Sequence, residues 1–295
     1  MSTRGCRSCH ASTKQERRRF STVDTVLSEY ANQAAQIARD AGQILRDRFG
    51  QPHDVQFKGT IDLVTEADRA AEDLIADRLR TLCPEHDLLC EEGSVGATAG
   101  AAFRWVVDPL DGTTNFAHGL PTFAVSIALE DAGIPVVGVV YDPMRDELFV
   151  ARRGGGATLN GAPIHVSFVD RLISSMLVTG FSYEFERRVQ QAEVWRDFLT
   201  RVQAIRQTGS AALNLCYIAA GRLDGYWERG ISPWDVAAGA VIVTEAGGSV
   251  SNMRGGSFHS DGREILASNG KLHGDLLEVI ATHEVAAAGH LQLGS

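Results

Sequence analysis

The stretch WVVDPLDGTTNF, residues 105–116, decides how this chain is read. Val106 and Val107 look like the end of a buried strand, yet the run closes on Asp108 and Asp111, separated only by Pro109 and Leu110. Two nearby carboxylates repel each other, and the repulsion costs stability unless a cation lies between them. Pro109 fixes its own φ and biases Asp108 towards an extended backbone. Both aspartates can then turn towards one point, with the Leu110 carbonyl as a further oxygen ligand. Gly112, Thr113 and Thr114 follow as a polar turn that opens a helix. A glycine backbone can approach a ligand closely, and free amides at a helix N-terminus hold phosphate well. The stretch therefore places a site for cations beside a site for an anion.

Further acids fall at the ends of expected elements. DLLCEEG reads as a brief strand closing on Glu91 and Glu92. Thr65 reads as an N-cap, with Asp68 three residues on in a capping-box position. Asp235 follows Trp234 at the start of another helix, in SPWDVAAGAVIVTEAGG, where Pro233 sits near N1 and glycines provide the stop. Each acid alone has an ordinary reading as a turn, a solvated strand end, a cap or a helix-dipole partner. Their joint occurrence points to hard oxygen ligands for Mg²⁺, which takes six oxygens at about 2.1 Å. An aspartate shared by two such ions would hold them roughly 3.5–4 Å apart, the spacing used for displacement at phosphorus.

Outward from this stretch the chain alternates. Leu27, Ala31, Ala34, Ala38, Ala41, Leu45 and Phe49 recur every three or four residues and predict an amphipathic helix from Asp24 to Phe49. A second helix is expected from Thr65 through Leu82. Residues 123–166 read as a meander of short strands with Gly turns, hence antiparallel. Beyond Asp170 strands and helices alternate again, with helices expected at Glu184–Val202, Ser210–Ala220 and Lys271–His283. The expected division is two α/β halves, 22–166 and 167–285, sharing one core, with a disordered extension at 1–21 and a loose tail at 286–295.

The 295 residues carry a net charge of −9, with 44% hydrophobic and 22% charged residues. A soluble globular protein is expected, and the acidic balance argues against nucleic-acid or anionic-membrane partners. No run approaches a membrane span and the N-terminus lacks the apolar core of a secretory signal. Five scattered cysteines (6, 9, 83, 90 and 216) make no disulfide framework, so a cytoplasmic location is expected. Cys6, Cys9 and His10 have the spacing of a haem-attachment site and could also ligate zinc. No export signal and no nearby fourth ligand accompany them, so a disordered extension, or translated sequence upstream of the natural start, is the better reading.

Taken in order, FKGTIDLVTEAD, LLCEEG, WVVDPLDGTTNF and WDVAAGAVIVTEAGG closely resemble the motifs of the inositol monophosphatase family, over residues 24–283. The resemblance implies a layered α/β/α/β/α sandwich, a homodimer, inhibition by lithium, and two to three Mg²⁺ ions per site. It implies that Glu91, Asp108 and the Leu110 carbonyl ligate one ion, and Asp108, Asp111 and Asp235 a second. A third, weaker ion would lean on Glu91. Gly112 and Thr113 match phosphate-contacting amides, and Thr113 with Asp68 matches the couple that activates water. Glu228 matches an acid that binds substrate hydroxyls, and Gly209, Ser210 and Ala211 match the wall beside the substrate.

The implied activity is Mg²⁺-dependent hydrolysis of a small phosphorylated polyol or sugar, inositol 1-phosphate first, by activated water without a covalent nucleophile. Relatives acting on histidinol phosphate, fructose 1,6-bisphosphate or 3′-phosphoadenosine 5′-phosphate leave those substrates open. A reading of another class is a catalytically idle dimeric scaffold. The intact set of implied ligands argues against it, although fold alone does not decide function.

Overall fold

The apolar repeat that opens the chain forms α1 (Ser8–Arg48) in a computed structural model that describes the backbone of residues 8–51, 56–57, 63–93, 95–96, 100–182 and 184–290. Side chains are described for 24–51, 65–93, 96, 100–182 and 184–283. The helix begins well before Asp24, so it takes in much of the stretch expected as a loose extension. Cys6 lies outside the described residues, as do the side chains of Cys9 and His10. A two-stranded ribbon of β1 (Gln56–Phe57) and β2 (Leu63–Val64) leads to α2 (Glu66–Leu82), whose Thr65 N-cap and Asp68 form the expected capping box.

Next come β3 (Asp87–Cys90), β4 (Val95–Gly96), β5 (Phe103–Asp111) and the short helix α3 (Thr113–Ala117). The meander follows as β6 (Ala124–Asp131), β7 (Ile134–Asp142), β8 (Glu147–Arg152), β9 (Ala157–Leu159) and β10 (Ala162–Pro163). These strands form an eight-stranded sheet ordered β10-β9-β8-β7-β6-β5-β3-β4, antiparallel except where β3 runs parallel to β5. The remaining chain gives β11 (Met176–Thr179), α4 (Phe185–Phe198), β12 (Ala204–Arg206), α5 (Ala211–Ala219), β13 (Gly225–Arg229), α6 (Pro233–Glu245), β14 (Ser249–Ser251), β15 (Glu264–Ser268) and α7 (His273–His290). Its five strands are ordered β12-β11-β13-β15-β14. The last helix extends into the region expected as a tail.

The layers are α1 and α2, the large sheet, α5 and α6, the small sheet, then α4 and α7. This is the expected α/β/α/β/α sandwich. Three apolar clusters fill the spaces between layers. The middle cluster joins Val106, Ala128 and Val140 of the large sheet to α5 and α6 and to Val178 and Ile265 of the small sheet. Helices α5 and α6 are therefore apolar nearly all round, as a helix buried between two sheets must be. Gly138 lets α6 lie against β7, because a Cβ there would overlap the Ala238 carbonyl.

One irregularity sets up the site. Asp108 pairs with Ser126 of β6, whereas Asp111 pairs with Ala124, so three steps along β5 match two along β6. In a regular strand residues three apart face opposite sides. The extra residue of this bulge returns both aspartates to one side. The strand thus does not end at Asp108. It continues through Pro109 and Leu110 to Asp111.

Candidate active site

Asp108 and Asp111 of β5 and Asp235 of α6 each offer a carboxylate oxygen within 4.8 Å of the others. The start of α6 is docked there by Ser126, the partner of Asp108, whose hydroxyl donates to the Trp234 carbonyl at 3.2 Å. Neutral donors orient the three acids. The Leu110 amide donates to Asp108 Oδ1 at 2.9 Å, and the Ser232 amide to Asp235 Oδ2 at 2.8 Å. Asp111 receives the Ala211 and Ala212 amides at 3.1 and 2.9 Å and the Ser210 hydroxyl, so it sits on the N-terminus of α5. Glu91, one residue beyond β3, hydrogen-bonds Asp108 and lines the same cavity of about 450 Å³, but stands outside the tight group of three.

Crowding of buried acids raises their proton affinity. Burial first, then the charges of Glu91, Asp111 and Asp235, hold the Asp108 carboxyl well above its usual range. Burial lifts Asp111 to about 6, against the lowering effect of Ser210, Ala212 and Ala211. Asp235 keeps some exposure to the cavity, yet close protein walls and then Glu91 and Asp111 raise it well above normal. Among the described residues no Lys or Arg pairs with these three carboxylates. A cluster of hard oxygens with uncompensated negative charge fits a divalent cation of the Mg²⁺ type.

The turn expected to meet an anion abuts the acids. Gly112 adopts φ +100°, and a Cβ there would meet the Thr122 and Gly209 carbonyls at 3.0 and 3.2 Å. Thr113 follows at the start of α3, with its Oγ1 3.0 Å from Asp68 Oδ1 and 3.0 Å from the Leu110 carbonyl. Asp68 is buried and also takes the Thr65 amide at 2.8 Å and the Thr65 hydroxyl at 2.6 Å. Thr113, its hydrogen-bond partner, lines the cavity. Gly209, Ser210, Ala211 and Glu228 line the same cavity. Enclosure lifts Glu228 to about 7, with Tyr226 and the Gly180 amide pulling it down and Asp111 pushing it up. The cysteines at 83, 90 and 216 are buried free thiols, as core residues would be.

Several residues that shape the site carry no sequence signal for it. Asn115 donates 2.8 Å hydrogen bonds to both the Thr122 and Thr208 carbonyls, tying the turn after β5 to the loop before α5. Tyr226 donates to Glu228 at 2.5 Å. Gly180 leaves room for the Glu228 carboxylate, which a Cβ would overlap. The Asn115–Thr208 and Gly180–Glu228 contacts join residues 93 and 48 positions apart, beyond the reach of local sequence patterns.

Chemically, the cavity joins a carboxylate cluster that could hold a cation, the Gly112–Thr114 turn beside it, a hydroxyl backed by a buried carboxylate, and the Glu228 carboxylate. Residues 26–285 match the family model described as the inositol monophosphatase family. An inositol-1-monophosphatase of Synechocystis is 46% identical over 264 residues, covering 89% of this chain and 91% of that protein. The Nus factor SuhB of Salmonella typhimurium is 44% identical over 239 residues, covering 80% and 90%. Among solved structures, the extragenic suppressor protein SuhB of Bartonella henselae superposes with a TM-score of 0.81 at 41% identity, covering 84% of this chain and 97% of that one. This chain belongs to the inositol monophosphatase family.

Proposed function

We propose that the chain is a Mg²⁺-dependent phosphatase of small polyol phosphates, with inositol 1-phosphate as its first substrate. One observation carries this reading: the acids of β5 and α6 meet within 4.8 Å, in the cavity that also holds Gly112, Thr113 and Glu228. Glu91, Asp108, Asp111, Asp235 and the Leu110 carbonyl would hold two to three Mg²⁺ ions. When bound, the ions supply positive charge for the phosphoryl oxygens and lower the pKa of coordinated water. The Gly112 and Thr113 amides would bind phosphate oxygens. Thr113, by giving its proton to Asp68, keeps lone pairs free to accept a proton from water and so orients it. A base is useful because unaided monoester hydrolysis is extremely slow. Glu228 would accept hydrogen bonds from substrate hydroxyls, which favours a polyol. Lithium sensitivity and a homodimer belong to the same proposal and rest on the resemblance, and a cytoplasmic location joins them on the scattered cysteines, which make no disulfide framework.

The likeness to Nus factors of similar identity supports a second reading, a scaffold that binds other macromolecules. The net charge of −9 weighs against direct contact with nucleic acid. Phosphate release from inositol 1-phosphate, histidinol phosphate and 3′-phosphoadenosine 5′-phosphate, with Mg²⁺ or with chelator, separates the two. Metal-dependent release, fastest from inositol 1-phosphate, is expected. No release from any ester would favour the scaffold.

A further inference from the structure

Helix α2 carries two buried acids one turn apart, Asp68 and Glu72, and residues four apart share a helix face. Asp68 stands behind Thr113 at 3.0 Å. Glu72 is only 2% exposed, lies inside the helix and has no part in the chemistry proposed above. A carboxylate is costly to bury unless donors reach it. One such donor is the Glu92 amide, 2.7 Å from Glu72 Oε2.

That amide lies where β3 leaves the sheet. Cys90, the last residue of β3, pairs with Val107 of β5. The Glu91 amide adds one more ladder bond, to the Val107 carbonyl at 3.2 Å. The Glu92 amide leaves the ladder and turns to Glu72 instead. Both peptide units flanking the Glu91 Cα are therefore held, one by β5 and one by α2. Gly93 follows at φ +106°, where the chain turns away. From this fixed backbone the Glu91 side chain hydrogen-bonds Asp108. The Cys90 thiol registers the same closeness of α2, since burial first and then the Glu72 charge push its pKa up.

We infer that Glu72 is a positioning residue of the metal centre, holding the turn after β3 so that Glu91 is set to ligate Mg²⁺ beside Asp108. The inference rests on the phosphatase reading above, in which Glu91 is a Mg²⁺ ligand. One face of α2 then supports both halves of the site: Asp68 backs the hydroxyl that orients water, and Glu72 backs a metal ligand. A Glu72 that merely satisfied a buried amide would affect stability and leave Mg²⁺ affinity alone.

The test titrates Mg²⁺ calorimetrically into the full chain as wild type, Glu72→Met, Glu72→Gln, Glu91→Gln and the double variant Glu72→Met/Glu91→Gln. Met and Gln both fill the space without the charge, but only Gln keeps an acceptor for the Glu92 amide. The Mg²⁺ dissociation constant is expected to rise about tenfold in Glu72→Met and to stay within about threefold in Glu72→Gln, on the scale of a lost partner that orients a metal ligand. With Glu91 already replaced, Glu72→Met should add less than about twofold, because residues that act through one contact are not additive. Glu72→Asp, charged but one methylene short of the amide, repeats the test should the Met variant not fold. Affinity within twofold of wild type in Glu72→Met, an equal loss with and without Glu91, or an equal loss in Met and Gln overturns this inference and leaves the phosphatase reading standing. A wild type that binds no Mg²⁺, or a Glu91→Gln variant that binds it as wild type does, overturns the reading of Glu91 as a ligand and the inference with it.

Discussion

Thr113 Oγ1 lies 3.0 Å from Asp68 Oδ1, although 45 residues separate them in sequence. Asp68 uses its other oxygen to cap α2, so the carboxylate that would prime water is also part of a helix start. Thr113→Ala is expected to lower kcat by roughly 10²–10⁴-fold, the usual range for a lost general base. KM should change little, because the Thr113 amide persists. Steady-state kinetics check this, and a kcat within tenfold of wild type would remove the couple from the chemistry.

Asp108→Asn keeps an oxygen for the Leu110 amide and removes one charge from a buried cluster. Activity is expected to fall on the order of 10³-fold, as for loss of a group that stabilises transition-state charge. Thermal stability in chelator should be equal or higher, because the carboxylate is held there against burial and three acidic neighbours. Mg²⁺ should stabilise the wild type by about 2.7 kcal/mol at a hundred times the dissociation constant and so raise its melting temperature. The variant should lose most of that gain. A full Mg²⁺ response in Asp108→Asn would show that the ion binds elsewhere.

Gly180→Ala places a methyl against the Glu228 carboxylate without backbone strain, since the Gly180 φ is not positive. The carboxylate must move, and with it the proposed contact to substrate hydroxyls. KM for inositol 1-phosphate is expected to rise about tenfold, the scale of one charged hydrogen bond, with kcat less affected. Glu228→Ala should do the same. If neither variant raises KM more than twofold, Glu228 does not touch the substrate.

His273 gives a pH signature far from the cavity. Burial holds its imidazole below the usual 6.5, with Ser251 and Ser268 hydroxyls 2.9 Å from its two ring nitrogens. The unfolded chain then binds more protons than the folded one just below pH 6.5, so stability rises with pH in that window. This contribution is complete above 6.5 and is lost as the pH falls through it. Chemical denaturation of wild type and His273→Gln between pH 5 and 7.5 should show a shallower slope in the variant. Parallel slopes would mean that His273 titrates normally.

Much of the architecture was legible because it depends on local order. The spacing of Leu27, Ala31, Ala34, Ala38, Ala41 and Leu45 gave a helix that buries all six, with Phe49 half-buried just past its end. Thr65 and Asp68 gave the capping box that starts α2, worth about 1 kcal/mol. Ser210 and Pro233 marked the starts of α5 and α6. The reading was less accurate where long-range packing sets the limits: β5 continues through Pro109 to Asp111, and α1 begins at Ser8.

The sequence by itself determined which elements form and which acids stand at their ends, because caps, turns and apolar periodicity act within a few residues. It also carried the family resemblance. Only the tertiary structure decided that Asp108 and Asp111 face the same way, through a bulge defined by pairing with β6. Only it placed Asp111 on the first turn of α5 and Asp68 behind Thr113. These are contacts between distant segments, fixed by how sheets and helices stack, and no local propensity encodes them.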